Sequence, residues 1–232
     1  MTPEQRIDQT QAVLFDLDGT LIDTVELILV SFRHATKTVL GAEVPDDELM
    51  RNVGQPLRAQ FEQMSPEHAD ELLRVYREFN HARHDELAKE YPGTIEVLRD
   101  LERRALPMGI VTSKGTVAAT MGIERFGLER FMDVVITADD VDTHKPDPHP
   151  LRIAAGRIGV DLRYCMYVGD SPHDMSAAVA GGAISVAALW GAFPREVVLV
   201  PGTEFELEAI TDLPGLLDGD ASRHAVLERP VS

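Results

Sequence analysis

Ala12-Val13-Leu14-Phe15 runs directly into Asp16-Leu17-Asp18-Gly19-Thr20, and this junction decides how the chain is read. A brief apolar run bounded by polar residues is a short buried strand. Carboxylates at i and i+2 on the end of a strand point the same way, and Gly19-Thr20 then turn the chain. Two neighbouring carboxylates repel, so one is driven toward its protonated form unless a cation intervenes. Bound to a metal, Asp16 would stay ionised and nucleophilic, while Asp18 would hold a proton and act as an acid. A calcium loop also begins D-x-D. Here Gly19 falls at the fourth rather than the sixth loop position, and Leu27 stands where the closing Glu belongs.

Three further words follow the same plan. Thr112-Ser113-Lys114 comes after Met108-Gly109-Ile110-Val111, Lys145-Pro146 stands in a proline-rich loop, and Gly169-Asp170 with Asp174 follows Tyr164-Cys165-Met166-Tyr167-Val168. Alone, each has a plainer reading. Thr112 caps a helix, Lys145 is a surface charge, and Asp170 is the N-cap of a helix beginning near Ser171-Pro172, with Asp174 one turn further on. Together they supply a hydroxyl, an ammonium and a second carboxylate pair, the inventory for handling a phosphoryl group beside a magnesium ion. Pro146 and Pro148 fix backbone angles that allow Lys145 to be aimed inward. His144 and His149 read as solvated loop residues.

Apolar runs at 12–15, 107–111, 132–136, 164–168 and 183–187 read as strands, with amphipathic helices between them. Ile95, Leu98 and Leu101 share one helix face; Leu151, Ala154, Ala155 and Ile158 share another, with Gly159 at the C-terminal cap position. This alternation predicts an α/β fold, a Rossmann-like parallel sheet core with helices on both faces. Every polar word then lies at a C-terminal strand end, where ligands bind in open α/β sheets. Residues 21–90 break the alternation with helical patterns at Val25 to Leu40, Asp46 to Met64 and Pro66 to Lys89 and no clear strand, and typical connections are far shorter. The expected organisation is a catalytic core from 1–20 and 91–217, an inserted all-helical cap over 21–90, and a flexible tail over 218–232. One more edge strand is expected within Ala192 to Glu208, and a short helix over Leu213 to Leu217.

With 232 residues, 44% of them hydrophobic, the chain buries a sizeable core. Its net charge of −17 argues against nucleic-acid or anionic-membrane partners. The same charge repels a phosphorylated substrate at long range, so local cations must reverse the field inside a phosphate site. The lysines are Lys37, Lys89, Lys114 and Lys145, and two of them fall in the words above. The single cysteine, Cys165, excludes an internal disulfide framework and reads as inert core. Neither a membrane span nor a signal-peptide pattern is present, which predicts a cytoplasmic protein, either monomer or homodimer.

In this order the words resemble the haloacid dehalogenase-like hydrolase superfamily, from about Ala12 to Leu189. The resemblance implies that Asp16 is the nucleophile and Asp18 the general acid/base. It further implies that Thr112, Ser113 and Lys145 bind the substrate phosphate, and that Asp16, Asp18, Asp170 and Asp174 form the Mg2+ site. Dehalogenases of the family lack the second Asp, and its phosphonate-cleaving members carry a small residue there, so Asp18 points to phosphoryl chemistry. Its sugar phosphomutases carry a His ten residues beyond the acid/base, where this chain has Ile28. Gly54-Gln55-Pro56-Leu57, Pro92-Gly93 and Ala187-Ala188-Leu189-Trp190-Gly191 look like the phosphoglycolate phosphatase and PpaX-type pyrophosphatase branch. The implied activity is Mg2+-dependent hydrolysis of a small phosphorylated metabolite, a phosphoglycolate-like monoester, through an aspartyl phosphate. Pyrophosphate hydrolysis is the alternative, ahead of a phosphomutase. A non-catalytic binding protein would usually have lost Asp16 or Asp18. Arg51, Asn52, Gly54 and Gln55 are the cap-loop candidates for substrate choice.

Overall fold

All four residues of β1 (Ala12–Phe15) are buried, and alternate side chains leave a strand on opposite faces. A strand apolar on both faces needs cover on both, and the architecture supplies it. The computed structural model describes residues 2–220 and His224. Of the tail expected over 218–232, all but 218–220 and His224 lies outside the described residues. The further strands are β2 (Ile22–Asp23), β3 (Lys89–Glu90), β4 (Met108–Val111), β5 (Val134–Ile136), β6 (Cys165–Gly169), β7 (Ile184–Ala188) and β8 (Phe205–Leu207). The helices are α1 (Pro3–Ile7), α2 (Val25–Leu40), α3 (Asp46–Met50), α4 (Leu57–Met64), α5 (Ala69–Leu87) and α6 (Thr94–Arg103). They continue with α7 (Thr116–Arg125), α8 (His149–Ile158), α9 (Pro172–Gly181), α10 (Arg195–Val198) and α11 (Leu213–Leu217).

Six strands form one parallel sheet in the order β5-β4-β1-β6-β7-β8. The chain builds outward from β1 through β4 to β5, then returns to the other side of β1 for β6. Strand order reverses at β1, and a crevice opens at such a switch point beyond the C-terminal strand ends. On one face Val13, Phe15, Ile110 and Val168 pack with Val97, Leu98 and Leu101 of α6 and Ala119 and Ile123 of α7. On the other, Leu14, Val111 and Tyr167 pack with Leu151, Ala154 and Ala155 of α8 and Ala177 and Ala178 of α9. Ile95 and Ile158 are only partly buried at the margins of these cores, and Gly159 closes α8 in the left-handed conformation.

Helices α2 to α5 share a separate core built on Phe32, Phe61 and Tyr76, whose rings meet edge to face at 4.9–5.8 Å. Two expectations for this region are corrected. The helical pattern expected from Asp46 to Met64 is split into α3 and α4. Pro56 disfavours helical angles in the residue before it, and Gly54 turns the chain at a φ of +99°. The region taken as strandless also begins and ends in β2 and β3, which pair antiparallel through Ile22–Glu90 and Asp23–Lys89. Strands of two residues are too short to show a period, so only the pairing reveals them. Among the described residues no helix is long and apolar enough to cross a membrane.

The tight sheet-to-helix packing makes two glycine substitutions diverge. A Cβ on Gly109, within β4, would lie 2.5 Å from Val134 Cγ1 and 2.9 Å from Leu14 Cδ2. Gly109→Ala should therefore cost about 1–3 kcal/mol. Gly156, inside α8, has nothing within 4 Å of the same position, so Gly156→Ala should gain about 0.5–1 kcal/mol from helix propensity. Guanidinium unfolding midpoints of the two variants measure both; equal shifts would contradict the packing described here.

Candidate active site

Lys145 enters the sheet edge from the loop before α8 and is almost completely buried. Its Nζ donates to Asp16 Oδ1 at 2.9 Å, Asp174 Oδ1 at 2.6 Å, Tyr167 Oη at 3.0 Å and the Val111 carbonyl at 3.2 Å. A buried ammonium is stable only with such compensation. Burial lowers the Lys145 pKa, but Asp16 and Asp174 outweigh it and raise the pKa above the usual lysine value. The surface-charge reading of Lys145 is thereby excluded.

Asp16, Asp170 and Asp174 each offer an oxygen within 4.8 Å of the others, and all three are buried. Their environments differ. Burial pushes Asp16 up to about 7; Lys145 opposes the rise while Asp174 and Asp18 add to it. Burial raises Asp170 well above the carboxylate range, with Asp174 and Asp16 contributing and the Ala192 N–H and Lys145 opposing. Asp174 is held below its ordinary value although burial resists this. It receives Lys145, the Tyr167 hydroxyl at 2.9 Å, and the Ser171 N–H and hydroxyl at 3.0 and 2.6 Å. Asp16 shares the same ammonium with far fewer donors, so the two carboxylates diverge. Three buried acids crowd one ammonium, and burial opposes the ionisation of Asp16 and Asp170; an all-oxygen, all-carboxylate donor set suits a hard cation such as Mg2+, which would favour their ionised forms.

Asp170 is not the N-cap of α9. Ser171 is, in a reciprocal capping box with Asp174. The hydroxyl of Ser171 reaches the N–H of the third helical residue, whereas Asp170 accepts from the Ala192 N–H at 2.7 Å. Two glycines make room for it: a Cβ on Gly19 would stand 2.1 Å from Asp170 Oδ2, and one on Gly191 2.2 Å from Asp170 Cβ. Gly19 also adopts a φ of +77°, a conformation that only glycine takes without strain.

Asp18 lies outside the carboxylate triad. Its Oδ1 accepts from Lys114 Nζ at 2.6 Å and from the Thr24 hydroxyl. The resemblance also puts Asp18 in the metal set; its carboxylate is not among the three that converge within 4.8 Å, and its Oδ1 is engaged by the lysine and the threonine. Lys114 was quoted in its sequence word without a role; nothing local connects it to Asp18. Thr112 is buried, and its Oγ1 accepts from the Lys114 N–H at 3.1 Å. Ser113 Oγ is buried and has no hydrogen-bond partner among the described residues. Cys165 is buried and free, its thiol pushed up to about 12 by burial, which disfavours the reactive thiolate.

A cavity of about 480 Å3 opens over this sheet edge, bounded by Asp16, Asp18 and Thr112 below and by helices α2 and α5 above. Gly54 and Gln55 line it, and Gln55 Nε2 stands 3.5 Å from His173 Nε2. Arg51 and Asn52 do not reach it; they border a separate cleft with Glu48 and Gln63. The turn at Gly54 directs only the second half of the loop toward the sheet. The cavity also takes in Arg58, Arg77 and His81, which the sequence reading passed over, and His144, which it left in solvent. Arg77 and His81 are one turn apart on α5, a spacing visible in the sequence once the helix is known.

Residues 13–188 match the haloacid dehalogenase-like hydrolase family. The pyrophosphatase PpaX of Bacillus pumilus is 36% identical over 208 residues, covering 90% of this chain and 96% of that protein. PpaX of Bacillus velezensis is 37% identical over 202 residues, covering 87% and 94%. Among solved structures, a hydrolase from Pseudomonas syringae superposes with a TM-score of 0.82 at 27% identity, covering 90% of this chain and 98% of its own. A proposed phosphoglycolate phosphatase from Lactobacillus plantarum gives 0.79 at 24% identity, covering 93% and 100%, and shows the shared fold. With the parallel sheet, the switch-point crevice and the ordered acidic words, these likenesses establish that the chain belongs to the haloacid dehalogenase-like hydrolases.

Proposed function

We propose that this chain hydrolyses a small phosphorylated anion in a Mg2+-dependent reaction that passes through an aspartyl phosphate on Asp16. The observation that carries the reading is the buried triad Asp16, Asp170 and Asp174 around the Lys145 ammonium, at the floor of a cavity whose wall holds Asp18. An Asp16 oxygen attacks phosphorus in line, and the bond to the leaving oxygen breaks as Asp18 gives that oxygen a proton. Asp18 then takes a proton from water, whose oxygen attacks phosphorus; the bond to Asp16 breaks and phosphate leaves. Lys145, Thr112 and the Ser113 hydroxyl, unpartnered among the described residues, hold the phosphoryl oxygens. Asp16, Asp170 and Asp174 would hold the metal, which when bound offsets phosphoryl charge.

The organisation proposed for this task is a core of 1–20 and 91–217 with a cap over 21–90, joined at the β2–β3 pair. The cap closes the cavity against bulk water and selects the substrate. Of the two substrate readings, pyrophosphate gains from the PpaX relatives, whose similarity extends over nearly the whole chain. A phosphoglycolate-like monoester is the second reading; the solved structures named for it lie below 25% identity. Assay of both with Mg2+ decides between them.

Two outcomes test the chemistry. Asp16→Asn should lower phosphate release by more than about three orders of magnitude and abolish any acid-stable, alkali-labile labelled enzyme. Asp18→Asn should lose about 10²–10⁴-fold with a poor leaving group and recover in part with p-nitrophenyl phosphate, which needs little protonation. Labelling of Asp16→Asn equal to wild type would remove Asp16 as nucleophile.

The metal assignment is read from stability. Asp170→Asn removes a buried carboxyl whose ionisation the fold opposes, so it should raise the Tm of the metal-free protein. It should also abolish the Tm increase that Mg2+ gives wild type, about 2.7 kcal/mol at a hundredfold excess over Kd. Calorimetry with and without MgCl2 checks both; a wild-type Mg2+ response in the variant would remove Asp170 from the metal set.

A further inference from the structure

We propose that Arg77 and His81 of α5, with Lys114 of the β4–α7 loop, form a subsite for a second negatively charged group on the substrate, a phosphate or a carboxylate at the end not transferred. This rests on the phosphatase reading above and narrows its substrate to dianionic-tailed or carboxylate-tailed small molecules.

The first observation is an unbalanced charge. On α5, Arg74 is held by Glu78 and Arg83 by Glu86, the usual arrangement on a solvated helix. Arg77 has neither an ion pair nor a hydrogen bond among the described residues, although α5 also carries Glu71, Asp85 and Glu86. It stands instead on the cavity wall, with His81 following at i+4. Two basic side chains at that spacing gain nothing from each other, so the pair makes sense as recognition of an anion between them.

The second observation is where the guanidinium reaches. A Cβ on Gly115 would lie 3.8 Å from Arg77 Nη2, so this side chain spans from α5 to the loop after β4. Lys114 is the next residue, its ammonium on Asp18 and its side chain only 11% exposed. Cations from the helical layer and from the sheet edge thus converge on one side of the cavity, in a chain of net charge −17. His81 senses them: burial lowers its pKa, and Arg77, Lys114 and His84 lower it further. A neutral His81 donates one N–H to an anion and gains a proton if the anion's charge demands it. The nearby acid, Asp139, is engaged at 2.7 Å by the N–H of Thr116 at the start of α7 and makes no ion pair with Arg77.

The geometry separates two jobs. Lys145 and the hydroxyls of Thr112 and Ser113 serve the transferred phosphoryl group at the sheet edge; Arg77 and His81 serve the remainder of the substrate. Binding energy from that remainder helps close the helical layer over the reacting centre. A substrate with an uncharged remainder forgoes it.

The test is kcat/KM for pyrophosphate, phosphoglycolate and phenyl phosphate in wild type, Arg77→Ala, Arg77→Lys and Arg74→Ala. Arg77 is exposed on its helix, so truncation spares the core. Arg77→Ala should lower the preference for the two anionic-tailed substrates over phenyl phosphate by at least tenfold, mainly through KM. Arg77→Lys should restore part of that preference, and Arg74→Ala should leave it at the wild-type value. A larger loss with pyrophosphate identifies a phosphate as the favoured tail; a larger loss with phosphoglycolate identifies a carboxylate. A preference unchanged within twofold in Arg77→Ala overturns the subsite. If wild type hydrolyses none of the three, the phosphatase reading fails, and binding decides the subsite separately. Methylenediphosphonate should then bind wild type at least tenfold more tightly than Arg77→Ala by calorimetry, and equal affinity overturns the proposal.

Discussion

A single buried ammonium organises the sheet edge. Lys145 ties together the end of β1 through Asp16, the end of β4 through the Val111 carbonyl, β6 through Tyr167, and α9 through Asp174. Four elements meet at one nitrogen. An unpaired charge there would be costly, and removing one partner of a buried ion pair typically costs about 3–5 kcal/mol. The arrangement is therefore strict about which groups occupy it. Tyr167 illustrates this: its ring packs in the core beneath α8 and α9, while its hydroxyl serves Asp174 and the Val111 carbonyl.

The acids around that ammonium are arranged for function as much as for stability. Ser171 caps α9 and holds Asp174 through the same hydroxyl, so the start of the helix and the carboxylate are fixed together. Asp170, lacking such donors, depends on the Ala192 N–H and on space left by Gly19 and Gly191. The result is a cluster of buried carboxyl groups held by rigid elements, a donor set compatible with a hard cation. Asp18 is kept apart from this group by Lys114 and Thr24, and two carboxylates only two residues apart acquire different surroundings.

The helices above the sheet solve a different problem. In a protein of net charge −17, the basic side chains lining the cavity come from both layers. Arg77 arrives from α5 beside His81, whose pKa is lowered, and Lys114 from the loop after β4. The aromatic core of Phe32, Phe61 and Tyr76 gives that helical layer its own packing, and β2 and β3 pair with each other at its two ends.

Local sequence determined the strands that are apolar on both faces, the glycine that ends α8, the inert Cys165 and the polar words at the strand ends. Each depends on neighbours a few residues away, through backbone propensity and the period of burial. Tertiary structure alone decided which polar groups meet. Lys145 reaches Asp16 across 129 positions and Lys114 reaches Asp18 across 96, and no local pattern encodes either contact. The Asp170 N-cap reading failed for a related reason: Ser171 offers a hydroxyl better placed for the first turn of α9. Arg51 and Asn52 fell outside the cavity because one turn at Gly54 sets the direction of the loop. Arg77 and His81 were invisible as a pair until α5 was set against the sheet. Charge recognition across a cavity depends on distances between separate elements, and those distances exist only after the chain has folded.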